Sequence, residues 1–162
     1  MRALPFFLIA LAACDTVGSD GPPSIDAIDP DRGVEVADAG ALEDARRAWD
    51  DVGLEDYRLR YEVICFCAPL VVDLHVEGGR VVEAWQNGEP IPDDPVSDVY
   101  TIDRLFDLAA QGFAEADGVS VRVLEVGAGR RSAVVPVAVY VDWEELVADE
   151  EVGYRVVGFE AG

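Results

Sequence analysis

At Tyr57 the spacing of apolar residues changes from a helical period to strict alternation, and this change most constrains the fold. Leu42, Ala45, Trp49 and Val52 fall at i, i+3, i+7 and i+10, which predicts one apolar stripe of a helix. Asp38 is placed to cap this helix, Glu43 and Arg47 to form an i,i+4 ion pair, and Gly53 to end it.

From Tyr57 onward the period is two, as expected for half-buried strands. The residues of the first strand that share its apolar face are Tyr57, Leu59, Tyr61, Val63 and Cys65. A second strand alternates Leu70, Val72, Leu74 and Val76 with polar residues. Gly78-Gly79 then predicts a two-residue hairpin, from which the segment 81–85 returns as a third strand.

The same order of elements repeats in the second half of the chain. Thr101 is a good N-cap, and the next helical stripe consists of Ile102, Leu105, Phe106, Ala109 and Phe113, with Gly118 closing the helix. Three more strands follow over 119–126, 133–141 and 153–159. Pro136 lies in the middle one, which predicts that this strand is at an edge of the sheet or contains a bulge, at least locally. The prediction is an α+β fold of order αβββαβββ, in which residues 40–162 form one domain with two helices on one face of an antiparallel sheet.

The N-terminus predicts export and lipid attachment. Met1-Arg2 precedes an apolar run that is far shorter than the ~20 residues needed to cross a bilayer, so residues 1–13 read as a signal peptide. Leu11-Ala12-Ala13-Cys14 resembles the lipobox of bacterial lipoproteins, which implies a mature chain that begins at an acylated Cys14. The alternative is an ordinary secretory signal with a cysteine near its cleavage site. The lipobox predicts a membrane-anchored protein of the bacterial cell envelope that faces the periplasm or the cell exterior.

Residues 14–39 are predicted to be the lipidated cysteine and a flexible acidic linker. From Asp15 to Ala39 the chain has several glycines, prolines and aspartates, no aromatic residue and no sustained periodicity. Such a segment buries too little apolar area to offset its ordering entropy. The lesser possibility is an edge strand through Ile25, Ile28, Val34 and Val36.

Charge excludes one class of partner. The chain has 12 basic residues, all of them arginine, against 33 acidic ones, so its net charge is −21. A surface this acidic repels phosphates, and we therefore expect no nucleic-acid binding.

Cys65-Phe66-Cys67 is the one plausible reactive group in the sequence. Two cysteines at i,i+2 on a strand lie about 6.6 Å apart at Cα, at the upper edge of what a disulfide tolerates. In an exported protein we expect the Cys65–Cys67 pair to be an oxidised, structural disulfide. A thiol–disulfide role, a metal-ligand role and free thiols remain as alternatives.

No catalytic constellation is evident. His75 is the single histidine and lies on the polar face of its strand, where a solvated imidazole is expected. No Gly-x-Ser-x-Gly elbow occurs, and Gly127-Ala128-Gly129 is not followed by the helix that a phosphate-binding loop requires. The expectation is a protein that is not an enzyme and has no cofactor.

Two acidic runs could suit calcium, which takes six to eight oxygen ligands. The first contains Asp93, Asp94 and Asp98, and the second provides the weak calcium candidates Asp142, Glu144, Asp149 and Glu150. Neither run matches the EF-hand loop. A solvated acidic face is the simpler interpretation.

Several motifs together are similar to a known family. They are Trp49, Asp56-Tyr57, Tyr61, Cys65-Phe66-Cys67, Gly78-Gly79-Arg80-Val81, Thr101 to Asp107, Asp142, and Asp149-Glu150-Glu151-Val152-Gly153-Tyr154. This set resembles a family of small bacterial lipoproteins designated domain of unknown function 6174. The sequence departs from it at Ala68, between Cys67 and Pro69, and over 124–131. The resemblance implies a fold and a location in the cell envelope, and it implies no activity.

The leading hypothesis is a non-enzymatic, lipid-anchored domain that binds an envelope protein or ligand, with the membrane contacted through the lipid on Cys14. The rival is a thiol–disulfide or metal-handling protein that uses Cys65 and Cys67. A calcium-dependent module is the third.

Overall fold

The computed structural model describes residues 21–65, 68–92, 99–144 and 151–162. Within these ranges, two α-helices and eight strands follow one another in the order β1, α1, β2, β3, β4, β5, α2, β6, β7, β8, with a 3-10 turn at Pro30–Arg32 before β1. The helices are α1 (Ala39–Val52) and α2 (Ile102–Glu115). The strands are β1 (Val34–Glu35), β2 (Tyr57–Ile64), β3 (Leu70–Glu77), β4 (Arg80–Gln86), β5 (Glu89–Pro90), β6 (Gly118–Ala128), β7 (Arg131–Asp142) and β8 (Glu151–Ala161).

All eight strands form one antiparallel sheet of order β1-β6-β7-β8-β2-β3-β4-β5. The α+β class is therefore as predicted. The two-residue strand β5 has no counterpart in the sequence prediction, and β1 corresponds only to its lesser possibility of an edge strand, because neither strand is long enough to show alternation. The last strand, β8, pairs with β2 and thereby joins the two halves of the chain into one sheet.

Local sequence signals set the helix ends. The Asp38 carboxylate accepts a hydrogen bond from the N–H of Ala41 at 2.9 Å, and Gly53 ends α1 in the left-handed conformation. The Thr101 hydroxyl accepts from the N–H of Arg104 at 3.4 Å. The predicted closure of α2 at Gly118 is wrong, since Ala116 is the C-cap and Gly118 begins β6.

Two turn predictions have clear structural outcomes. Gly78 and Gly79 both have positive φ, as the predicted hairpin between β3 and β4 requires. Pro136 lies at a register shift between β6 and β7, where Val123 pairs with Pro136 and Arg122 with Ala138. Because β7 is interior to the sheet, the bulge rather than the edge position explains this proline.

The core forms between the helices and the sheet. Leu42, Ala45 and Trp49 are the buried residues of α1, and both helices contact β7 and each other. On β2, the alternation of Tyr57, Leu59 and Tyr61 with half-buried polar residues is confirmed. β7 contributes the fully buried Val135, Val137, Val139 and Val141.

The predicted linker differs from the structure between Ile25 and Val36. Ile25, Pro30 and Val36 are buried, Ala27 bridges Gly158 on β8, and Val34–Glu35 pairs with β6. The structure therefore agrees here with the lesser possibility, in which part of this segment packs as an edge strand. Isolated apolar residues in a proline- and aspartate-rich segment give no periodicity, yet backbone pairing with the sheet offsets their ordering cost.

Candidate functional site

Two tyrosines of β2 hold the start of α2. The Tyr57 hydroxyl accepts a hydrogen bond from the N–H of Ile102 at 3.3 Å, and the Tyr61 hydroxyl accepts one from the N–H of Tyr100 at 3.0 Å. Backbone N–H groups in the first turn of a helix have no partner within the helix, so these contacts satisfy donors that would otherwise need water. Trp49 adds a further tie from α1, since its indole N–H donates to Asp103 at 3.2 Å.

Tyr61, Tyr100 and Tyr154 form an aromatic cluster beside this junction. The ring centroids of Tyr100 and Tyr154 lie 4.4 Å apart, and those of Tyr61 and Tyr154 lie 5.8 Å apart in an edge-to-face arrangement. The Arg104 guanidinium lies over the Tyr100 ring, 5.4 Å from its centroid, and donates to the Val99 carbonyl at 2.7 Å. The cluster is therefore fixed by packing and by hydrogen bonds from two elements.

A cavity of about 310 Å³ opens beside the three rings. The described residues that line it are apolar apart from the phenols and one amide: Tyr61, Val63, Leu70, Val72, Gln86, Ile91, Val99, Tyr100 and Tyr154. None of these described residues carries a charged side chain. We call this space the tyrosine cavity.

Burial makes the phenols of Tyr57, Tyr61 and Tyr154 harder to deprotonate than an ordinary tyrosine, which is itself neutral at pH 7. It is the main cause that raises the pKa of Tyr57 and of Tyr61 to about 12. The pKa of Tyr154 is also raised, first by burial and then by its hydrogen bond with Tyr100. A phenol that stays protonated can donate or accept a hydrogen bond, but it is a poor base at neutral pH.

His75 lies elsewhere, in a polar cavity of about 340 Å³. Its Nδ1 is 3.3 Å from Glu83 and its Nε2 is 3.3 Å from Glu77, so both ring nitrogens have a carboxylate neighbour. The side chain is 21% exposed, which is more shielded than the solvated imidazole that the sequence predicted. Among the described residues that line this cavity there is no serine, threonine or cysteine.

Cys65 follows β2 directly and lines a third cavity, of about 190 Å³, with Ile64, Tyr140 and Glu151. The hydrogen bond between Tyr140 and Glu151 is the main cause that raises the pKa of Tyr140 to about 12. Cys67, the predicted bonding partner of Cys65, lies outside the described residues. The Cys65–Cys67 disulfide therefore stays a prediction.

The calcium candidates are only partly described. Asp142 is the last residue of β7, and its Oδ1 is buried without a hydrogen-bond partner. Glu144 is exposed, whereas Asp149 and Glu150 lie outside the described residues, as do Cys14, Asp93, Asp94 and Asp98. Within the described ranges, no group of three or more histidine, cysteine or acidic residues could hold a metal ion.

The sequence did not identify the tyrosine cavity. Alternation predicted an inward Tyr61, and the family resemblance included Tyr154, but nothing linked either residue to Tyr100 in a loop with no period. The pairing of β2 with β8, which places Tyr154 opposite Val63, brings the cluster together. That long-range pairing has no local signal.

A model of a family of unknown function, DUF6174, matches residues 41–161. No curated protein and no solved structure matches the chain. In the part of the chain that the structure describes, no helix is long and apolar enough to cross a membrane.

Proposed function

We propose a function for this chain, which belongs to the family of unknown function DUF6174: it is a lipid-anchored, non-enzymatic binding module of the bacterial cell envelope. In this proposal the tyrosine cavity receives one apolar side chain of an envelope protein. The observation that carries the proposal is a preformed cavity whose tyrosine wall is held by ring packing and by the hydrogen bond between Tyr61 and the Tyr100 N–H.

The size and chemistry of the cavity favour a single side chain as its occupant. Its volume of about 310 Å³ lies at the lower end of the range for small-molecule sites, about 300–1,000 Å³. No charged side chain among the described residues lines it, and Tyr61 already accepts a hydrogen bond from the Tyr100 N–H. An aromatic or branched aliphatic side chain would bury apolar surface there without displacing the hydrogen bond that Tyr61 accepts.

Charge narrows the class of partner. At a net charge of −21 the chain disfavours acidic partners and nucleic acids, and it favours a partner surface that is basic around the apolar side chain. A tyrosine of ordinary pKa is already neutral at physiological pH, and burial raises the pKa values of Tyr61 and Tyr154 further, so these phenols add no charge to the cavity.

Anchoring in this proposal comes from Cys14. Its support is the sequence alone: a cationic start, a short apolar run and Leu11-Ala12-Ala13-Cys14. Two or three acyl chains would hold a protein stably at a membrane, whereas one would not. We propose that the domain faces the periplasm or the cell exterior.

We further propose that α1 and α2 cover the same face of the sheet, as the predicted αβββαβββ order suggested. Both helices contact Tyr57: the Trp49 ring of α1 lies 5.6 Å from the Tyr57 ring, and Ile102 of α2 donates to the Tyr57 hydroxyl. The tyrosine cavity then lies on this face, beside the N-terminus of α2.

A direct titration tests the proposed site. The probe is N-acetyl-phenylalaninamide, added to the isotope-labelled protein while backbone amide shifts are recorded. We expect saturable shifts at Ile91, Val99, Tyr100 and Tyr154, and none around His75.

Two matched variants give the titration its control. Ile91→Trp places bulk in the cavity and should abolish the shifts. Val82→Trp makes a comparable change on β4 at a site that is 46% exposed and does not line the cavity, and it should leave the shifts intact. Shifts that survive Ile91→Trp, or that never saturate, would contradict the proposed site.

A thiol–disulfide function at Cys65 and Cys67 is the second candidate, favoured by the position of Cys65 on a cavity. Its test is the reduction potential of the pair. A value near that of catalytic oxidants, about −120 mV, would support it, and one below about −300 mV would indicate a structural disulfide. The calcium-dependent alternative predicts a rise in melting temperature when calcium is added.

A further inference from the structure

Residues 25–36 cross one face of the sheet from β8 to the outer edge of β6, and we call them the N-terminal strap. They cross the face that carries the side chains of Arg60 and Asp73, which form an ion pair at 2.7 Å between β2 and β3. Asp31 of the strap lies 3.5 Å from Arg122 on β6 and 3.8 Å from Arg155 on β8. We call this side of the sheet the charged face.

The strap occupies a strand position that β7 leaves vacant. β7 pairs with β8 only from Glu151 to Arg155. Beyond Arg155 the strap pairs with β8 in place of β7. The Ile28 N–H donates to the Val157 carbonyl at 3.0 Å, and the Phe159 N–H donates to the Asp26 carbonyl at 3.1 Å. These bonds pair backbone groups of β8 that the sheet would otherwise leave open.

Close packing fixes the strap in place. A Cβ atom on Gly158 would lie 3.1 Å from Cγ2 of Ile25, and one on Gly33 would lie 2.7 Å from Cγ2 of Val137. Ile25 and Val36, near the two ends of the strap, are buried. The chain is therefore packed against the sheet at Ile25, well before α1.

The strap and the tyrosine cavity lie on opposite faces of the sheet. Arg60 pairs in register with Gly158, over which Ile25 packs. The next residue along β2, Tyr61, lines the tyrosine cavity. Successive side chains of a strand point to opposite faces, so the chain enters the domain on the face away from the cavity.

The chain between Cys14 and the described residues is short. Six residues separate Cys14 from Gly21, and the seven Cα–Cα steps between these two residues span at most about 24 Å even when fully extended. A domain of this size is about 35 Å across. The tether is therefore shorter than the domain is wide. A lipid on Cys14 would hold the charged face near the bilayer and would keep the domain from turning its opposite face to the membrane.

We propose that the strap makes the charged face the membrane-proximal surface of the anchored protein and presents the tyrosine cavity away from the bilayer. This inference rests on the proposed lipidation of Cys14. The charged face then lies next to the lipid surface without inserting into it. The partner protein binds the tyrosine cavity from the opposite side of the sheet.

Paramagnetic relaxation tests this orientation. The lipidated full chain is placed in phosphatidylcholine nanodiscs that carry a nitroxide on the headgroup, and the enhancement is measured at backbone amides. We expect the amides of Arg58 and Glu83, whose side chains belong to the charged face, to relax severalfold faster than those of Arg47 on α1 and Gln111 on α2. Equal enhancement, or a larger one on the helices, would overturn the proposal.

A lengthened tether is the control. Twenty glycine and serine residues inserted between Asp20 and Gly21 leave the strap and its contacts unchanged, and we expect the difference between the two faces to collapse. A difference that persists undiminished would mean that the short tether is not its cause, which overturns the inference. The intact mass of the same sample separates the two claims: acyl chains on Cys14 with uniform enhancement refute the orientation alone, whereas their absence refutes the anchoring.

Discussion

The hydroxyl oxygen of Tyr61, in the middle of β2, accepts a hydrogen bond of 3.0 Å from the backbone N–H of Tyr100, just before α2. The contact joins residues 39 positions apart and forms one wall of the tyrosine cavity. It makes the cavity dependent on the junction between β2 and α2, and it gives the first prediction.

Replacing Tyr61 by Phe should destabilise the protein by about 1–3 kcal/mol. The Tyr100 N–H would lose its acceptor in a partly buried place, and an unsatisfied buried donor costs roughly that much. Urea unfolding measures the loss. A cost no greater than that of an exposed change such as Val82→Ala would show that water replaces the phenol at no penalty.

Trp49→Ala and Phe106→Ala should each cost about 3–5 kcal/mol, the usual range for aromatic residues truncated in cores. Trp49 is 3% exposed and Phe106 is fully buried, as the helical stripes predicted. Denaturant melts of both variants check this, with the half-buried Phe113→Ala as a milder comparison. A loss below about 1 kcal/mol at either buried site would contradict the packing described above.

The helices and most strands could be predicted because their signals are local. Asp38, Gly53 and Thr101 marked helix ends, and the Glu43–Arg47 pair is present at 3.2 Å. What the sequence left out depends on distant partners. Tyr100 acquires its role only once β8 lies beside β2, and Ile25 becomes a core residue only because β7 leaves the edge of β8 open.

Stability should fall as pH rises from about 10 to about 12. Tyr57 and Tyr61 have pKa values near 12 in the folded protein, above the ordinary value of 10.0, so the folded state retains protons that the unfolded chain loses. The stabilisation is fully present below pH 10 and disappears through pH 12.

Unfolding free energies measured between pH 9 and pH 12 test this slope. The Tyr57→Phe/Tyr61→Phe double variant should show a flatter dependence over that interval, because it lacks both groups. An identical slope in the two proteins would assign the alkaline loss to other residues.

Replacing Cys65 and Cys67 together by Ser should lower stability only modestly. The proposed disulfide closes a loop of three residues, for which chain entropy gives about 1.6 kcal/mol before strain is subtracted. Alkylation without reductant, followed by intact-mass analysis, should label no thiol at either position. Two labelled thiols, or a bound metal whose removal unfolds the protein, would favour the redox or metal-handling alternative.

The intact mass of the protein purified from membranes tests the central claim most directly, because both the anchoring and the proposed orientation require a lipid on Cys14. We predict a mature chain that begins at Cys14 and carries two or three acyl chains, and a Cys14→Ser variant of the same preparation that is lost from the membrane fraction. A chain cut at another residue, or one that begins at Cys14 without acyl chains, would contradict the account.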